Sequence, residues 1–169
     1  MTMATVVYCL GDDVSTDVIY PGRYMATVLP TETPQFAFAD DAGFSARLKA
    51  REIPPGSVLV AGKNFGCGSS REQAVSCLKG HELVIVARGF ARIFLQNAIN
   101  LGLRVVACPT LEAAVGDELD VGDAEVINRR TGTHYSVLPL PSSRRAIMDA
   151  GGLIPYTRQR LAATGRKRR

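Results

Sequence analysis

Tryptophan is absent from this 169-residue chain, histidine occurs twice, and the four cysteines include no CxxC pair. Zinc and iron–sulfur sites draw on clustered Cys and His ligands, so the chain is expected to hold no metal of its own. Cys9, Cys77 and Cys108 fall in apolar stretches and read as small buried hydrophobes, whereas Cys67 lies in a glycine-rich loop. No apolar run approaches the roughly 18 residues of a membrane helix. No positive–apolar–small pattern opens the chain either, so a cytoplasmic protein without a membrane segment is expected. Acidic residues are missing from Arg158 onward, where Arg158, Arg160, Arg166, Lys167, Arg168 and Arg169 lie. Of 20 basic and 16 acidic residues, 14 and 16 remain in the body, so the net +4 belongs to the terminus. A terminus of this kind reads as a solvated, disordered tail at 158–169. Nucleic-acid binding, the other use of a basic run, has no support in the body and is not expected.

What is present suits one α/β domain. Short runs rich in β-branched residues read as strands: 5–10, 57–62, 82–87, 103–108, 117–121, 124–128 and 133–138. The last two flank a Thr-Gly turn and form a hairpin pattern. Helical spacing marks 35–50, 71–79 and 90–102, the last with Gly102 as its stop. "SSRRAIMDAGG" (142–152) reads as a capped helix, and 154–161 as a short final one. Strand, glycine loop, helix, strand, helix, strand in the central part implies parallel strands with helical crossovers. The segment 11–34 is long for a connection, which points to function.

The stretch "AGKNFGCGSSREQAV" (61–75) carries the clearest chemical signal. Ser69 with Glu72, or Ser70 with Gln73, fits a helix capping box, and glycines before it permit a tight turn. The same geometry fits an anion site. Unpaired N–H groups at a helix start attract carboxylate, Arg71 adds a two-pronged donor, and a serine in a positive field is more easily deprotonated. The phosphate-binding GxxxxGK[ST], the dinucleotide GxGxxG and the hydrolase GxSxG are all absent. Both readings stand on the residues alone.

Three stretches, "GDDVSTDVIYPGRY", "GKNFGCGSSRE" and "GFARIFLQNAINLGL", occur in this order. Together they resemble the small-subunit family of 3-isopropylmalate dehydratases, in the aconitase superfamily, over most of residues 4 to 157. The resemblance implies a swivelling β/β/α domain at 1–157, like the mobile C-terminal domain of aconitase, followed by the tail. It implies a large partner subunit that carries a 4Fe–4S cluster, with no cofactor in this chain. It places Ser69 as the base that takes the proton from the substrate carbon. It places Ser70 and Arg71 on substrate carboxylate and the serine oxyanion, and Asp17 as an active-site acid. Gly66, Cys67 and Gly68 shape the loop. Asn97 and Asn100 are given no chemistry.

In that family the loop after the Arg-Tyr pair faces the substrate's variable group. Here Arg23 and Tyr24 are followed by Met25, Ala26, Thr27 and Val28, with no charge. An apolar wall suits an alkyl group and leaves a further carboxylate unpaired. A small-molecule alkylmalate is therefore the expected substrate, interconverted between 2- and 3-isopropylmalate by dehydration and rehydration. The usual "SSREH" reads "SSREQ" here, with Gln73 for histidine, which keeps homoaconitate or a dialkylmalate such as dimethylmalate as alternatives. A non-catalytic module that binds RNA or a partner through its basic tail is the alternative of another class.

Overall fold

The computed structural model describes residues 2–166. Its strands are β1 (Thr2–Cys9), β2 (Val58–Ala61), β3 (Val84–Ala87), β4 (Val105–Ala107), β5 (Glu118–Val121), β6 (Glu125–Asn128) and β7 (Thr133–Ser136). The helices are α1 (Thr16–Ile19), α2 (Ala42–Lys49), α3 (Glu72–Gly80), α4 (Arg92–Leu101), α5 (Ser142–Asp149) and α6 (Leu153–Arg166). All seven expected strands form one sheet in the order β4-β3-β2-β1-β5-β6-β7.

Strands β1 to β4 run parallel, with Val58 beside Val84 and Ile85 beside Val105, and the expected helices cross over between them. Strand β1 then pairs antiparallel with β5, and β5, β6 and β7 follow as an antiparallel run. Gly132 closes the β6–β7 hairpin at φ 71°, a conformation glycine adopts without strain. An isolated bridge between Ala107 of β4 and Leu138, just past β7, brings the two edges together, so the sheet curls on itself.

Curling buries both faces of β2, and that explains its uninterrupted Val-Leu-Val-Ala run. Val58 and Val60 point into the curl with Val6, Val86, Val106, Leu119 and Val126. Leu59 and Ala61 face the helices, among Phe38, Phe44, Phe65, Leu78 and Phe94. Burying each such side chain contributes roughly 1.5–3 kcal/mol, which the ordering entropy of the chain largely offsets.

Several expected boundaries are corrected. The helix expected at 35–50 begins only at Ala42, where the Asp41 carboxylate accepts from the Phe44 N–H at 2.9 Å. Before it the chain makes a 3-10 turn at Thr33–Phe36, and Phe38 sits at φ 49°, which no helix continues. Neither capping box at 69–73 forms: α3 starts at Glu72 with Arg71 as its cap and no side-chain cap bond. Ser142 is the first residue of α5, behind Pro141, so the serines there are not caps. Helix α6 runs through the first part of the expected tail, because Leu161, Ala162, Ala163 and the arginines are good helix formers. Residues 167–169 of that tail lie outside the described residues.

Candidate active site

Two loops leave the same end of neighbouring parallel strands, 10–16 after β1 and 62–71 after β2, and lace together. The Lys63 N–H donates to the Asp12 carboxylate at 2.7 Å, and the Asn64 amide donates to Asp13 at 2.8 Å. Further along, the Gly66 N–H donates to the Val14 carbonyl and the Thr16 N–H to the Cys67 carbonyl, both at 2.8 Å. The Cys67 thiol reaches the Asp13 carbonyl at 3.3 Å. Gly66 and Gly68 sit at φ 80° and 88°. A Cβ on Gly66 would stand 2.2 Å from the Phe94 ring, so this position admits glycine only.

The laced loops present Ser69 and Ser70 as exposed residues. Ser69 precedes the first helical residue of α3 by three positions, so its hydroxyl is not held in the helix's first turn, as a capping reading requires. Its main chain is held instead: the carbonyl accepts from the Thr16 hydroxyl at 3.0 Å and from the Arg71 N–H at 2.8 Å. Thr16 is 2% exposed, so its hydroxyl has lost water and needs this partner.

Arg71 and Asp17 form an ion pair, in which the Arg71 side chain is 15% exposed and Asp17 58%. Nη1 of Arg71 also donates to the Tyr20 carbonyl at 3.3 Å. The hydrogen bond from Arg71 holds the Asp17 carboxyl below the usual carboxylate range, and the Gly22 N–H helps. Asp17 is therefore an anion that orients the guanidinium. Gly22 gives that pair room, since a Cβ there would lie 3.3 Å from Nη2 of Arg71 and 3.4 Å from the Asp17 carboxylate.

Asp17, Ser69, Ser70 and Arg71 are thus brought together. Arg23 is not free: it holds Asp40 with Nη1 and Nη2 and lies over the Tyr24 ring at 4.7 Å. Tyr24 stacks on Phe36 at 4.2 Å, which anchors Met25, Ala26 and Thr27 beyond it. Gln73 shares a groove with Val28 and Pro30 of that same loop. Sequence reasoning passed over Thr16, Tyr20 and Gly22. Thr16 had a signal, a hydroxyl residue at a position whose neighbours Val14 and Ile19 are buried.

Among the described residues no three His, Cys, Asp or Glu side chains come together as metal ligands. Cys77 and Cys108 are buried as expected, whereas Cys9 is exposed at the end of β1. Burial raises Cys77 and pushes Cys108 up to about 11, and partial desolvation raises Cys9, which disfavours the thiolates a cluster would need. Asn97 has no side-chain hydrogen bond among the described residues, and Asn100 accepts from Gln96 at 3.0 Å along α4.

Residues 26–110 match the aconitase C-terminal domain family. The 3-isopropylmalate dehydratase small subunit of Methanosarcina mazei is 44% identical over 153 residues, covering 88% of this chain and 92% of the relative. The isopropylmalate/citramalate isomerase small subunit of Methanocaldococcus jannaschii is 41% identical over 162 residues, covering 92% and 94%. The crystal structure of 3-isopropylmalate dehydratase from the same organism superposes with a TM-score of 0.85 at 36% identity, over 98% of this chain and 99% of that one. With the curled sheet, the laced loops and the likeness extending over nearly the whole chain, this protein belongs to the family of 3-isopropylmalate dehydratase small subunits, within the aconitase C-terminal domain family.

Proposed function

We propose that this chain is the small subunit of a heteromeric hydro-lyase that interconverts 2- and 3-isopropylmalate through the dehydrated intermediate, and that Ser69 is its base. The observation that carries this reading is an exposed Ser69 whose carbonyl accepts from the Arg71 N–H, two residues before an arginine whose side chain is mostly buried and fixed by Asp17. A buried, oriented guanidinium interacts more strongly with an anion than a solvated one.

The Ser69 oxygen, as an alkoxide, takes the proton from the substrate carbon while the C–H electron pair forms the C=C bond. The hydroxyl on the neighbouring carbon leaves with its C–O pair and takes a proton from an acid of the partner subunit to depart as water; rehydration reverses both proton transfers. Readdition of water with the carbons exchanged, and return of the proton by Ser69, gives the isomer. One substrate carboxylate is placed against Nη2 of Arg71, since Nη1 is occupied by Asp17 and the Tyr20 carbonyl. The Thr16 hydroxyl and the Arg71 N–H hold the Ser69 carbonyl, which fixes the main chain from which its hydroxyl projects. Lewis-acid assistance to the leaving hydroxyl would come from a 4Fe–4S cluster on a large partner subunit, as this chain's separated thiols do not fit a cluster.

The uncharged Met25–Val28 segment supports an alkyl substituent on the malate. The Methanocaldococcus jannaschii relative is named for both isopropylmalate and citramalate, the latter methyl-bearing, and the same wall would take that smaller group. Assaying the assembled pair against branched-alkyl, methyl and carboxyalkyl malates tests the reading. Turnover of the alkyl substrates is expected; preference for a tricarboxylate, or no turnover of any, would overturn it.

A further inference from the structure

Tyr20 sits at the end of α1 and is fully buried, an unusual place for a phenol with only neighbours of the same chain to satisfy it. Its main-chain carbonyl accepts from Nη1 of Arg71 at 3.3 Å. Its hydroxyl reaches the carbonyls of Tyr24 at 3.2 Å and Thr27 at 3.4 Å. The Tyr24 carbonyl already accepts the Thr27 N–H at 2.9 Å, so the phenol clamps a turn that is closed by its own backbone. The three rings continue the connection: Tyr20 meets Phe36 edge-on at 6.1 Å, and Phe36 stacks on Tyr24 at 4.2 Å. One residue therefore joins the guanidinium to the apolar loop from both of its ends. Burial raises its pKa, so the hydroxyl remains a donor throughout the neutral range.

We propose that Tyr20 is a positioning residue for substrate selectivity: it sets the span between the carboxylate-binding Arg71 and the Met25–Val28 wall, and so the size of the substituent that fits. This rests on the function proposed above. A carboxylate held at Arg71 and an alkyl group against the loop are two ends of one small molecule, and a fixed span discriminates between substituent lengths only while the loop cannot move. Releasing the loop lets a large and a small group fit equally well or equally poorly.

The test is Tyr20→Phe in the complex assembled with its partner subunit, which keeps the ring and removes only the hydroxyl. The ratio of kcat/KM for the isopropyl-bearing malate to that for the methyl-bearing malate is expected to fall about tenfold, through the loss of one hydrogen bond that holds the loop. A general loss of stability would lower both values and leave the ratio alone. A ratio within twofold of wild type overturns the proposal. Should Tyr20→Phe fail to fold, Phe36→Leu removes the ring under Tyr24, and the same fall or its absence decides. If the wild-type complex turns over neither substrate, the proposed function fails first and independently.

Discussion

At the scale of single residues, the proposed mechanism divides its labour between two charged side chains, Arg71 and Asp17, and the Ser69 hydroxyl. Arg71 keeps one nitrogen for Asp17 and the Tyr20 carbonyl and leaves the other beside Gly22. Arg71→Lys supplies charge without the fork, so KM should rise roughly tenfold or more while kcat changes less, as steady-state kinetics would read. An unchanged KM would mean the fork binds nothing. Gly22→Ala places a methyl 3.3 Å from that free nitrogen, and the pair must shift by a few tenths of an ångström to admit it. A raised KM with the fold retained is expected, since small misplacements at a site are costly; a wild-type KM in this variant would remove Nη2 from the substrate's path.

At the scale of elements, much was legible and the misses have a common cause. The strands were readable because β-branched runs pack on both faces of a curled sheet, and α4 because Gly102 takes φ 73° at its end. The glycine loop was readable as special, but the capping box that its residues also fitted does not form. The serines precede α3 without capping it, since tertiary lacing to the 10–16 loop holds the main chain that a cap would otherwise satisfy. Helix 35–50 failed for the same reason: Phe38 turns to φ 49° to bury its ring, and packing overrides local periodicity. The grouping of Asp17 with Arg71, 54 positions apart, came from resemblance, because no local rule pairs residues so distant. Arg23 came from the same motif and proved tied to Asp40. Gly66→Ala tests the lacing itself. The methyl meets Phe94 at 2.2 Å in a backbone conformation that L residues avoid, and a loss of several kcal/mol is expected, in the range of roughly 3 or more for overpacking plus strain. Denaturant melts measure it, and a wild-type midpoint would contradict the loop geometry.

At the scale of the whole molecule, the candidate site sits on loops at one end of a curled sheet. The antiparallel half is pinned by Asp117, a buried carboxylate that receives Arg130, the Ala114 N–H at 2.9 Å and the Asn128 amide at 2.7 Å. The Arg130 hydrogen bond, then that of Ala114, hold its carboxyl well below the usual carboxylate range. A group whose native pKa is depressed adds stability above its unfolded value of about 4, and that stability is lost as pH falls through the native value. Between pH 6 and pH 3 the wild type should therefore lose more melting temperature than Asp117→Asn; parallel curves would deny the linkage. Residues 157–164 of α6 are exposed throughout, so ending the chain after residue 157 should leave kcat of the assembled enzyme within about twofold, and a larger loss would give the basic terminus a catalytic part.

The most direct measurement is exchange of the substrate's carbon-bound hydrogen with deuterated solvent in the assembled complex, wild type against Ser69→Ala, followed by mass spectrometry. Exchange and turnover are predicted to fall together by at least about a hundredfold, with the variant binding its partner as tightly as the wild type does. Exchange at the wild-type rate without the Ser69 hydroxyl would contradict its role as the base.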